Sequence, residues 1–365
     1  MHVERARETL RSKAIKPSKS EIISNRLLER LDHGPVICAE GYLFELERRG
    51  YVSAGAFVPE VVLEHPDAVA QLHREFLRAG SDVIEAFTYY AHREKLRAIG
   101  QEATIEALNR AALRIAKGVA AEGDALVAGN ICNTNIFEAN SPSASKTCIA
   151  MFEEQVEWAV DEGVDFIIGE TFSYFEEARL ALEVIKKADM PAVVTVGFHR
   201  GPRTPDGLTP AECCKRLEDA GADVVGLNCM RGPATMLPLL SDVCKAVSVP
   251  VAALPVPYRT SGDQPTFISL QDLSCTCIPD DRPFPTALEP LTCNRYEIAE
   301  FTRAALELGV RYLGLCCGGA PHMIRAMAEA MGRQPPASKY SPDMSKHAYF
   351  GKNQSEHNRT MSKIL

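Results

Sequence analysis

The feature that most constrains this chain is a beat of short apolar runs set between longer amphipathic stretches. The runs fall at 36–42, 82–87, 125–130, 165–169, 192–198, 223–227, 249–254 and 312–315. Each is short, continuous in apolar character and mostly rich in Val and Ile, as a strand buried on both faces of a parallel sheet requires. Between them, helical periodicity marks 65–79, 105–121, 153–162, 176–187 and 296–308. Gly80, Gly163, Gly221 and Gly309 stand where a helix stops before the next strand. Eight strands alternating with helices over roughly 300 residues predict an α/β protein, a closed (β/α)8 TIM barrel. An open doubly wound sheet would carry a glycine-rich phosphate loop after its first strand. Here that place reads Cys38-Ala39-Glu40-Gly41-Tyr42, with no G-x-G-x-x-G.

The barrel is expected over 25–335. Residues 1–24 are polar and read as an N-terminal arm. Residues 336–365, rich in Ser, Lys, Asn and Pro, read as a short C-terminal tail that is disordered or packs on a neighbouring subunit. Lys and Arg number 40 against 48 Asp and Glu, a net charge of −8. With no basic stripe, the balance excludes a nucleic-acid partner. No apolar run nears the ~18 residues that span a bilayer, so no membrane segment is expected. The basic N-terminus lacks the apolar centre of a secretory signal, and a cytoplasmic protein is expected. In that compartment the 12 cysteines should be reduced thiols, some of them in a metal or catalytic site.

Working residues of such a barrel lie at the C-terminal ends of its strands. Those ends bring Cys229, Cys316 and Cys317 to one rim. Neighbours in a strand point to opposite sides, so Cys316 and Cys317 share a metal only where the strand ends, and Gly318-Gly319 permit that turn. Three thiolates suit zinc and leave a fourth position open. They also make the ion a poor acid for water and suit a site whose fourth ligand is a substrate thiol, held as the nucleophilic thiolate. Cys275-Thr276-Cys277 is a secondary metal candidate. Cys213 and Cys214 diverge on a helix and read as packing, as do Cys38, Cys132, Cys148, Cys244 and Cys293. His199 ends the fifth strand and reads as structural rather than as ligand or base. Trp158 reads as core.

Gly226-Leu227-Asn228-Cys229 and Gly314-Leu315-Cys316-Cys317-Gly318-Gly319 resemble the two zinc motifs of the homocysteine S-methyltransferases, most closely the betaine-using branch. Residues 46–51, 72–81, 87–91 and 122–129 are similar as well, and the likeness covers about 27–338. The resemblance implies one zinc ion per chain on Cys229, Cys316 and Cys317. It implies methyl transfer from betaine to homocysteine, giving methionine and dimethylglycine. Phe57 and Tyr90 would form the aromatic faces that take a quaternary ammonium group. Glu170 would take the amino group of homocysteine, and Asn228 and Gly41 complete the substrate set. Many members have Asp-Gly-Gly where this chain has Ala39-Glu40-Gly41, so Glu40, one position on from the family's carboxylate, is expected to bind substrate in its place. Thr171 replaces a Tyr, and Phe57 a position commonly Trp. The family also implies a homodimer or homotetramer. A sulfonium donor, S-methylmethionine or dimethylsulfoniopropionate, is the alternative, and a non-catalytic zinc- or homocysteine-binding barrel a third reading.

Overall fold

The computed structural model describes residues 26–365, and the expected arm over 1–24 lies outside the described residues. Eight parallel strands close in chain order: β1 Val36–Ala39, β2 Val83–Glu85, β3 Leu126–Cys132, β4 Phe166–Phe172, β5 Ala192–Val196, β6 Val224–Asn228, β7 Val251–Leu254 and β8 Tyr312–Leu315. β8 returns to β1 with Val36 opposite Tyr312 and Ala39 opposite Leu315.

Strand alternation sorts the side chains into two layers. Ile37, Ile84, Val127, Ile167, Val194, Val225, Ala253 and Leu313 face outward and pack beneath the helices. Val36, Cys38, Val83, Leu126, Ala128, Phe166, Ile168, Val193, Val224, Ala252, Leu254 and Tyr312 fill the barrel. Leu27 and Leu31, from the helix Arg26–His33, join that inner cluster and plug its floor. The same inward register runs on through Glu85, Asn130, Glu170 and Asn228, all 3% exposed or less. An apolar filling thus gives way to a polar one at the C-terminal end.

Strand ends shift from the sequence expectation for physical reasons. β1 stops at Ala39 because helix Tyr42–Arg48 begins directly after Gly41. β3 and β4 run on past the apolar residues because their polar tips are still inside the barrel. The helix expected at 153–162 begins earlier, at Pro142, with Ser141 capping it through the Ala144 N–H. Gly80 and Gly163 end their helices at φ 111° and 76°, as their positions suggested.

The tail's first residues fold back on their own barrel. Ser338 Oγ donates to Glu329 at 2.8 Å, and the Arg78 guanidinium lies 5.5 Å from the Tyr340 ring. Ten cysteines are free thiols, but Cys275 and Cys277 are joined in a disulfide, which corrects the expectation that all are reduced. They sit two residues apart in the long connection after β7, where the chain turns them toward each other. Cys213, Cys214 and Trp158 are buried as packing residues. Among the described residues no helix is long and apolar enough to cross a membrane.

Candidate metal centre and substrate site

Cys229 follows β6 and Cys316-Cys317 follow β8, and the end of β7 ties them together. The Cys229 N–H donates to Leu254 O at 2.9 Å and the Cys316 N–H to Pro255 O at 3.0 Å. Gly318, at φ 94°, then turns the chain so that both neighbouring thiols serve one face. Cys229 Sγ lies 3.8 Å from Cys317 Sγ, and Cys316 Sγ 4.0 Å from Cys317 Sγ. All three sulfurs fall within 4.8 Å of one another. Sulfurs sharing one tetrahedral zinc at about 2.3 Å stand about 3.8 Å apart, so the trio has the spacing of a closed metal grip. Hydrogen bonds from the other two thiols hold Cys229 well below the ordinary thiol range and push Cys316 and Cys317 up.

Beneath the sulfurs lie three carboxyl groups. Glu170 Oε1 accepts from Asn130 Nδ2 at 2.6 Å, and Oε2 from Asn228 Nδ2 at 2.7 Å and Thr171 Oγ1 at 3.1 Å. Asn130 Nδ2 also donates to Glu85. Burial pushes Glu170 up to about 7, against the pull of the Asn130 hydrogen bond. Burial, then the Glu170 charge, push Glu40 and Glu85 well above the carboxylate range. Glu40, Glu170 and Cys316 form one group within 4.8 Å, and Cys38, Glu40 and Glu85 another. Glu85 and Asn130 were not singled out from sequence as site residues. Their signal was parity, since each stands two residues beyond an inward apolar position, Val83 or Ala128.

The cavity lined by Glu40, Glu85, Tyr89, Glu170, Cys316 and Cys317 is small. About 20 Å³ is open to the centre of a water molecule, room for one water. Gly41 closes one side, because a Cβ there would fall 1.8 Å from Gly319 O. That close approach of two backbones explains the glycine.

Strained backbone marks the C-terminal ends of the strands and the connections beyond them. Thr171, Cys229 and Met230 take φ of 58°, 55° and 55°, and so do Phe57 at 52° and Tyr90 at 62°. A β-branched residue in the left-handed region is costly, and Thr171 sits where the β4–β5 register slips between Gly169 and Phe172. Asn228 Oδ1 accepts from the Thr171 N–H at 3.0 Å and holds that conformation. Such outliers cluster at functional sites.

Each of the two aromatic residues expected to form the cage packs on another ring. Phe57 stacks on Phe44 at 5.8 Å. Tyr90 lies 4.3 Å from the Tyr89 ring, and the Lys95 ammonium sits 4.0 Å from its own ring centre. His199 is exposed at the rim, its Nε2 2.9 Å from Ser173 Oγ, outside the sulfur group. Its backbone is fixed by Arg231, which donates to His199 O at 2.7 Å and to the carbonyls of Phe198, Arg200 and Gly201.

This geometry agrees with what the chain resembles. The family model for homocysteine S-methyltransferase matches residues 37–331. A betaine–homocysteine S-methyltransferase 1 of Danio rerio is 39% identical over 333 residues, 89% of this chain and 80% of the relative. An S-methylmethionine–homocysteine S-methyltransferase of Pongo abelii is 40% identical over 334 residues, 89% of this chain and 86% of the relative. The metallated crystal structure of the Escherichia coli homocysteine methyltransferase MmuM shares the fold, with a TM-score of 0.64 at 19% identity, covering 84% of this chain and 99% of that one. On the extent of these matches, the chain belongs to the homocysteine S-methyltransferase family.

Proposed function

We propose that the chain transfers a methyl group from betaine to the thiol of homocysteine, giving methionine and dimethylglycine, with one zinc ion on Cys229, Cys316 and Cys317. The observation that carries this reading is the sulfur trio at metal-binding spacing, with Glu170 within 4.8 Å of Cys316 Sγ. When bound, zinc supplies the positive charge that keeps a thiol deprotonated at neutral pH.

The residues of the chain do the rest. Glu170 is held from both sides by Asn130 and by Asn228 with Thr171, which supports assigning it the ammonium of homocysteine. That pairing favours the ionised carboxylate and offsets the upward push of burial. The acceptor sulfur forms a bond to the methyl carbon, the carbon–nitrogen bond breaks, and its electron pair stays on nitrogen. Anion and cation are neutralised together, so a buried site lowers the barrier relative to water, where both are solvated. No proton moves at the donor. Phe57 and Tyr90 offer the aromatic surface that attracts the onium group, and binding there requires Lys95 to leave the Tyr90 ring or the donor to use another side of it.

A sulfonium donor is the second reading. It is favoured by the Pongo abelii relative, named for S-methylmethionine and as similar to this chain as the betaine-named relatives. One experiment separates the readings: methionine formation from homocysteine with betaine, S-methylmethionine and dimethylsulfoniopropionate in parallel, with and without a chelator. We expect turnover with betaine that the chelator abolishes, and loss of bound zinc in Cys316→Ala and Cys317→Ala. Full activity in metal-free protein sinks the zinc assignment, and turnover with sulfonium donors alone sinks the betaine one.

A further inference from the structure

We propose that Glu40 completes the coordination of the metal ion while no acceptor thiol is present, and that the acceptor's sulfur displaces it. The inference rests on the zinc reading of the cysteine trio. Three sulfurs leave a tetrahedral ion one ligand short, and the surrounding side chains offer few candidates. Glu170 and Glu40 both lie within 4.8 Å of Cys316 Sγ. Both oxygens of Glu170 are committed to Asn130, Asn228 and Thr171. Glu85 is held by Asn130 through Oε1, with Oε2 3.9 Å from Cys38 Sγ. Asn228 Oδ1 is taken by the Thr171 N–H. Glu40 alone in this group has both carboxylate oxygens buried without a hydrogen-bond partner, in a residue only 8% exposed.

A carboxylate buried with no partner is strongly disfavoured, so the native environment must supply one, and a cation held by three thiolates is the nearest available. The backbone aims Glu40 at that position. Its N–H donates to Leu315 O at 3.3 Å, the residue before Cys316, and Gly41 packs on Gly319 just beyond the thiols. Glu40, Cys316 and Cys317 line the same cavity, whose free space is that of about one water, enough for a carboxylate to swing on its own torsions. On exchange the metal–oxygen contact breaks and a metal–sulfur contact forms. The thiol's proton passes to the released Glu40 carboxylate, which stays in its buried position as the neutral acid.

The test uses the full-length chain loaded with cobalt(II) as a visible probe of ligand number and type. Chelator competition and homocysteine titration are read on the cobalt absorption bands. For Glu40→Gln we expect a resting spectrum different from wild type, metal affinity lower by about tenfold or more, and homocysteine binding tighter by several-fold. The homocysteine-saturated spectra of the two proteins should coincide. Glu40→Asp, which keeps the charge but shortens the reach, should also lose metal affinity. An unchanged resting spectrum and metal affinity in both variants would overturn the assignment. So would weaker homocysteine binding at unchanged metal affinity, which makes Glu40 a contact for the acceptor's ammonium. Wild-type protein in which cobalt gives no thiolate bands, or in which homocysteine causes no shift, refutes the zinc reading itself. A wild type that passes with variants that do not differ from it refutes the role of Glu40 alone.

Discussion

Asn228 joins three parts of the site. Its amide donates to Glu170 and to the Thr171 hydroxyl, lies 3.9 Å from Cys316 Sγ, and accepts from the Thr171 N–H. Asn228→Ala should therefore lower kcat/KM for homocysteine by about 10- to 100-fold, the loss of the one buried charge-assisted hydrogen bond to Glu170 at ~1.5–3 kcal/mol. Bound zinc, measured by elemental analysis, should be retained. Loss of metal along with activity would show that the residue serves the sulfurs rather than Glu170. Phe57→Trp presents a stronger cation–π face, and we expect KM for betaine to fall several-fold while KM for homocysteine holds. Equal changes in both constants would remove Phe57 from the donor side. At this scale the sequence was legible where a motif named the residue. Cys229, Cys316 and Cys317 do converge, and Glu170 and Asn228 do meet. Glu85 and Asn130 were hidden, because an acid or amide at the tip of an apolar run looks like the strand's end until the inward register is known. The Lys95 contact with Tyr90 spans a turn and a helix start, which no spacing rule foretells.

The elements owe their positions to how closely backbones approach. Gly41 lies where the turn after β1 meets the turn after β8, and the Cβ of an alanine there would collide with Gly319 O. Gly41→Ala should destabilise the fold by about 1–3 kcal/mol, the usual cost of overpacking, and loosen metal binding because Gly319 follows the paired thiols. Denaturant unfolding and zinc retention check the two effects. Stability within error of wild type would mean that the two turns can separate freely. Strand and helix identities were readable because eight buried strands must be apolar and their helices must turn one apolar face inward. Their ends were less so, since where a strand stops depends on what the barrel interior still covers. The helix Pro142–Glu162 is harder to bound from sequence because its amphipathic periodicity is weak over its whole length, although Ser141-Pro142 carries its start signal.

Across the whole molecule, burial leaves some titratable groups where only one protonation state is tolerated. His73 is fully buried, its ring 4.8 Å from Tyr42 and both nitrogens unpartnered, and desolvation lowers it to about 3. In the unfolded chain it titrates near 6.5. Between those values the unfolded state binds the extra proton, so this residue's contribution is fully present above about 6.5 and is lost as pH falls toward 3. At pH 5 the loss is about 2 kcal/mol. His73→Leu should flatten the acid limb of the stability profile by that amount between pH 7 and pH 5 in urea titrations. An unchanged slope would mean that the imidazole finds a proton-sharing partner.

The inward rungs of these strands form one staircase, oily on its lower steps and reactive on its top ones. A deletion of one residue inside β2, β3, β4 or β6 would turn an acid or amide out among the helices and bring a hydrocarbon in. Loops can drift in length across descendants of such a catalyst, while the strands that feed it tolerate replacement and resist any change of count.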